Sequence, residues 1–289
     1  MCAPSISTAQ GTAYCLALQD TIAPADLVVA TDGSLYVCGT SESDHATFAE
    51  DIFLLKVGPD GALLWSERVD GGGGDRAAGL VATSDGGVLL VGSGTSFVMP
   101  SSGYVIRFGP TGSILWSKQL TDQTGATTYA AYTAIGTNDG GYLVGGSAFR
   151  LGQNNASLIK LNSTGDVIWT RFYRIPNISP SVISLAEEPL GGYYAASDGS
   201  GTFPSLFKVD ASGEFMWGRS NIGALDICAR PGGGVYMASG WAYDMLVVAV
   251  DSGGTLVWQT DVGIGSLYER SVAVASTPDG GVVVAGDVN

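Results

Sequence analysis

The stretch DIFLLKVGPDGALLWSERVDGGGGDRAAGLVATSDGGVLLVGSG, residues 51–94, contains two hairpins in a row. Its first part, FLLKVGPDGALLW, reads as apolar strand, tight turn, apolar strand. Its second, GLVATSDGGVLLVG, repeats that pattern around Asp85-Gly86, and Asp-Gly between apolar runs is among the strongest short-range hairpin signals. β-Branched residues crowd the flanking runs, as strands prefer.

Both halves recur along the chain. Trp65, Trp116, Trp169, Trp217 and Trp258 stand in one local frame, 41 to 53 residues apart. A glycine lies four residues before each, at Gly61, Gly112, Gly165, Gly213 and Gly254. The other turn is marked by Gly33, Gly86, Gly140, Gly191, Gly233 and Gly280. Each repeat therefore holds four strands, A to D: A-turn-B, a variable connection, then C-turn-D. Six A–B turns face only five tryptophan hairpins, and the chain start supplies the missing one. Met1–Asp20 aligns on Asp51–Asp70 without a gap, placing Gly11 on Gly61 and Cys15 on Trp65.

Four-stranded units of this length in closed rotation are blades of a β-propeller. The expected fold is all-β: a six-bladed propeller of four antiparallel strands per blade, its last blade closed by two strands from each terminus. The blades span about 22–70, 77–121, 130–173, 180–221, 224–262, and 270–289 with 1–20. Closure through both chain ends removes the open sheet edge.

Residues 51–94 resemble the bacterial β-propeller repeat often called the seven-bladed propeller repeat, and more distantly the docking repeat of quinoprotein propellers. That resemblance covers nearly the whole chain in six degenerate copies. It implies the fold and an association with bacterial surface or secreted proteins. The quinoprotein likeness does not extend to a cofactor site, because the adjacent cysteine pair and cation-binding acid cluster of those enzymes are missing. No cofactor is expected.

Composition narrows the function classes. The 289 residues carry 13 basic and 27 acidic side chains, a formal net charge of −14. Such a chain is no nucleic-acid binder, since phosphate recognition needs clustered Lys and Arg. Its single histidine, His45, leaves little room for histidine-based catalysis. No export signal and no membrane-length apolar run is apparent, so synthesis in the cytoplasm without membrane insertion is expected. Cys2, Cys15, Cys38 and Cys228 are scattered and read as free thiols.

Function is expected on the face of the variable B–C and D–A connections, because binding residues concentrate on loops held by a rigid scaffold. Trp241 is the one tryptophan outside the repeat frame. With Tyr243, Phe149, Tyr173 and Tyr268 it forms a candidate aromatic platform for a glycan or protein. Arg270 and Arg76 stand beside Glu269 and Asp75 and read as local ion pairs orienting the D–A connections; an anion-binding pair is the alternative, which makes Arg270 a further candidate binding residue. Residues 40–50 form the largest B–C loop. Asp44, His45 and Glu50 there offer oxygen and imidazole ligands, but without the spacing of a calcium loop, so a solvated acidic loop is expected and no metal.

Lys56, Arg107, Lys160 and Lys208 share one position on strand C and are expected to pair with acidic turn residues of the next blade. Asp226, in ALDICA, faces either the channel or the adjacent sheet. The expected role is a non-enzymatic module that binds a protein or glycan, or neighbours in a larger assembly such as a virion component or surface filament. The alternative is a propeller hydrolase or lyase using acids at the channel mouth.

Overall fold

A computed structural model describes residues 21–44, 49–71, 73–96, 99–121, 127–174, 178–198, 203–220, 223–240, 245–263 and 269–288. These residues form antiparallel sheets and no helix. Sheet I comprises β1 (Thr21–Val29), β2 (Leu35–Asp44), β3 (Ala49–Val57) and β4 (Leu63–Val69). Sheet II comprises β5 (Gly73–Ala82), β6 (Val88–Ser96), β7 (Met99–Phe108) and β8 (Ile114–Gln119). Sheet III is β9 (Thr128–Gly136), β10 (Tyr142–Arg150), β11 (Gln153–Leu161) and β12 (Val167–Tyr173). Sheet IV is β13 (Val182–Glu187), β14 (Tyr193–Ser197), β15 (Leu206–Val209) and β16 (Phe215–Arg219). Sheet V is β17 (Ala224–Ala229), β18 (Val235–Gly240), β19 (Met245–Val250) and β20 (Leu256–Val262). Sheet VI holds β21 (Glu269–Ser276) and β22 (Val282–Val288). Residues 1–20, the expected closing strands, lie outside the described residues.

Each short turn closes by one repeated geometry. The Gly33 N–H donates to the Ala30 carbonyl at 3.0 Å, and the Gly61 N–H to Gly58 at 2.9 Å. Gly33 and Gly61 have φ of 78° and 81°, a left-handed conformation that glycine adopts without penalty. In four of the six A–B turns an aspartate precedes the glycine and fixes the turn: Asp85 accepts the hydroxyl of Thr83 at 2.7 Å and the N–H of Gly87 at 3.2 Å.

Two sets of bulges aim the side chains that join the sheets. In β4, β8, β12, β16 and β20 the ladder skips the residue before the tryptophan: Leu64, Leu115, Ile168, Met216 and Val257. A bulge bends its strand and increases local twist. The indole then reaches the C–D turn of the following sheet. Trp65 Nε1 donates to the Pro110 carbonyl at 3.0 Å, Trp169 to Ala211 at 3.1 Å and Trp217 to Ser252 at 3.1 Å. A methyl group at the turn glycine would collide with the ring, at 2.7 Å for Gly165 over Trp116.

The strand C cations pair within their own sheet, a correction of the expected partner. Lys56 meets Asp32 at 3.2 Å, Lys160 meets Asp139 at 2.8 Å, Lys208 meets Glu188 at 3.2 Å, and Arg107 pairs with Asp85. Strand C lies beside strand B, so its buried ammonium is nearest the A–B turn. Towards the next sheet the lysines reach only carbonyls, Lys56 to Pro110 at 3.4 Å and Lys208 to Ser252 at 3.2 Å. In sheet V the matching position is Ala249 and the turn carries Arg230, so cation and acid are lost together.

The core lies between sheets as a chain of apolar clusters. One joins Tyr36, Leu54 and Ile52 of sheet I to Leu80, Val88 and Leu90 of sheet II. Others join sheet II to III, III to IV and IV to V. The stretch 40–50, expected as a loop, is largely strand: the β2–β3 ladder continues to Glu42↔Glu50 and Asp44↔Ala49. A backbone with a pairing partner at hand keeps its hydrogen bonds rather than leaving them to water.

Candidate functional site

The inner strands carry a second bulge, skipping Ala25, Ala78, Tyr132, Ile183, Leu225 and Val272 in β1, β5, β9, β13, β17 and β21. At Asp26, Ser184 and Asp226 the next residue reaches the neighbouring sheet. Asp226 Oδ2 accepts the Val274 N–H at 2.8 Å, and its Oδ1 accepts the Ser184 hydroxyl at 2.6 Å. Of the two orientations open to Asp226, the adjacent sheet is therefore the observed one. Asp26 does the same work in sheet I: Oδ2 accepts from Leu80 N–H at 2.8 Å and Oδ1 from its neighbour Leu27 at 2.7 Å. Burial pushes the Asp26 carboxyl above its ordinary range, while those two N–H groups pull it down. The Cys38 thiol is pushed up by burial to about 12 and Cys228 to about 11, which leaves neither a thiolate nucleophile near neutrality.

A concavity lies on the variable face, at the seam of sheets I and II. It is a cavity of about 370 Å³ between the end of β4 and the strands of sheet II. Val69, Ile106 and the Tyr104 ring line its apolar part, and Gly71, Asp75 and Gly94 its acidic end. Asp75 is 4% exposed. Its Oδ2 accepts the Gly71 N–H at 2.5 Å. Gly71 and Gly94 cradle the carboxylate, since a methyl group on either would occupy its space. Burial raises the Asp75 carboxyl above its usual range, and the charges of Asp51 and Asp70 add to the rise.

Carboxylate oxygens of Asp51, Asp70 and Asp75 lie within 4.8 Å of one another. Hard oxygen donors of this kind suit a cation, either a metal ion or an organic ammonium. Around them, Arg68 pairs with Asp51, and Arg76 with Glu50 through a 2.9 Å bond. Arg76 thus reaches Glu50 across the seam rather than its neighbour Asp75, a correction of the local pair read from sequence. Neighbours on a strand point to opposite faces. At the equivalent seam between sheets II and III the position of Asp75 is held by Tyr129, which is buried in the apolar core. In sheet VI the same position is held by Glu269.

The residues picked out by sequence are spread more widely. Phe149 is exposed near the tip of the β10–β11 hairpin. The Tyr173 hydroxyl donates to the Gly213 carbonyl at 2.7 Å, and its ring sits 5.0 Å from Phe207, so ring and hydroxyl are engaged between sheets III and IV. Trp241, Tyr243, Tyr268 and His45 lie outside the described residues. Arg270 pairs with Asp287 in the β21–β22 ladder, and Asp44 ends β2; their side chains lie outside the described part. Glu50 borders the seam through Arg76. The sequence reading passes over Asp26 and takes Asp75 only as the ion-pair neighbour of Arg76. The signal for Asp75 was an acid ending the run Gly71–Gly74, where glycines leave room for a carboxylate.

No family model matches the chain, and no curated protein matches it. Solved structures share its fold. A protein of unknown function from Dyadobacter fermentans DSM 18053 is 16% identical, with a TM-score of 0.58 over 93% of this chain and 95% of that one. YCF48, solved bound to D1 peptide, is 12% identical, with a TM-score of 0.56 over 94% of this chain and 77% of that one. Puromycin hydrolase is 17% identical at a TM-score of 0.54; the match takes in 92% of this chain but 42% of the hydrolase. At these identities the likeness speaks for a propeller-like, all-β fold alone.

Proposed function

We propose that the chain is a six-bladed propeller whose last blade is completed by residues 1–20, and that it is a non-enzymatic module binding a protein partner on its variable face. Closure is supported by what sheets V and VI leave open. All seven residues of β20 are exposed, and Trp258, in the frame of the docked tryptophans, is 37% exposed. Gly11 has the offset from Cys15 that each turn glycine has from its tryptophan. Its turn would dock on Trp258. Removing residues 1–20 should then abolish cooperative thermal unfolding; a truncated chain melting in one sharp transition would overturn closure.

The binding role rests on one observation: the seam cavity between sheets I and II, which combines an apolar wall with buried acid on the face of the variable connections. This chemistry suits a peptide segment better than a neutral glycan. A phage-displayed dodecapeptide library panned on the immobilised protein tests the role. Captured phage should be lost when Asp70 and Gln119, at the cavity, are both changed to lysine, and kept when Asp60, on the opposite turn face, becomes lysine. Capture that ignores the first pair of changes, or no capture at all, would overturn it.

A further inference from the structure

Resting on that reading, we infer that the seam cavity is a receptor for the side chain of a lysine in a peptide partner. The argument starts from Asp75. The carboxylate is 4% exposed, and one oxygen is held by the Gly71 N–H. No described residue donates a hydrogen bond to the other oxygen, and Asp75 lines the cavity. A buried carboxylate with half its accepting capacity unused and a space before it is complementary to a donor carrying positive charge. Asp51 and Asp70 strengthen that field, and Asp51 already has Arg68 as a counter-charge.

The rest of the cavity sets the shape of the cation. Val69, Ile106 and the Tyr104 ring give an apolar wall leading to the acid. Lysine buries its methylene stem along such a wall and carries a compact ammonium with three donors at its tip. A bare divalent ion would gain nothing from that wall. A volume of about 370 Å³ admits a four-carbon stem with water beside it. Lys118, also on the rim, is paired with Asp166 at 3.1 Å, so its charge is held away from the incoming ammonium.

The dodecapeptides captured from the library supply the test. Their sequences should be enriched in lysine. Replacing the shared lysine by norleucine, which keeps the stem and drops the ammonium, should weaken binding to the full-length protein at least about ten-fold by calorimetry. Asp75→Asn should remove the same factor, and Asp70→Asn a smaller one, with thermal midpoints confirming that both variants fold. Captured peptides that bind equally well with norleucine, or that bind Asp75→Asn unchanged, would overturn the lysine receptor while leaving the binding module standing. Calcium chloride that binds the free protein at Asp75 and displaces the peptides would assign the cavity to a metal instead. A library that yields no binder would bring down both.

Discussion

Lys56 and Trp65, directly opposed on β3 and β4, both donate to the Pro110 carbonyl in the neighbouring sheet, at 3.4 and 3.0 Å. A basic strand position and an indole nine residues later thus share one acceptor. Lys208 and Trp217 repeat the arrangement on the Ser252 carbonyl. Trp65→Phe should keep most of the packing and lose one hydrogen bond, costing about 1 kcal/mol. Trp65→Ala should cost about 3 kcal/mol through the lost burial. Denaturant midpoints with an unchanged slope would verify both.

The turn glycines separate backbone strain from collision. Gly140 has φ of 79° and open space where a methyl would stand, so Gly140→Ala should cost only the left-handed penalty, about 1 kcal/mol. Gly165 has φ of 80° and the Trp116 ring 2.7 Å from that position. Gly165→Ala should cost at least about 2 kcal/mol, since the collision is added to the same strain. Equal costs for the two would refute the docking role of the indole.

Acid should weaken the fold through the A–B turns. Burial works to raise the Asp139 carboxyl, but bonds from Lys160, Thr137 and Gly141 outweigh it and hold the group at about 2. A depressed folded value means stability that is present above the unfolded value near 4 and lost as pH falls towards 2. Asp139 is half exposed, so screening reduces its contribution to about 1 kcal/mol. Asp139→Asn should lower the melting temperature at pH 7 and lower it much less at pH 2.5.

Leu151 is the one non-glycine among the described residues with positive φ, 54°, and is 80% exposed. It occupies the hairpin position that asparagine favours. Leu151→Asn should raise stability by about 0.5–1 kcal/mol, read as a higher denaturant midpoint. No gain would show that the leucine packs on something in solution.

Asp226→Ala would leave the Val274 N–H and the Ser184 hydroxyl without their acceptor. A loss of about 2 kcal/mol is expected. Amide exchange at Val274 should quicken well beyond that at Val248.

Strand order and turn geometry were legible in the sequence because a left-handed turn demands glycine and a strand face demands alternation. The tryptophans could be aligned, yet their docking on the next sheet depends on bulges at Leu64 and its counterparts, which look like ordinary apolar strand residues. Lys56 and Asp32 were visible separately. Their pairing within one sheet required knowing which strands are neighbours. The acidic seam was the hardest part: Asp51, Asp70 and Asp75 come from three segments, and only the folded β4–β5 connection brings them together.

In sheets I to IV the buried strand C cation is neutralised by a turn acid of its own sheet, while an indole, a glycine and a carbonyl join one sheet to the next. A repeat copied in tandem therefore brings that buried pair with it and needs the glycine of its successor to receive its indole. Growth of such a chain by duplication asks for no new partner for the buried cation, and a repeat such as sheet V can lose both members of the pair at once. The tolerance leaves individual seams free to diverge, and the one bearing Asp75 has made a cavity of that freedom.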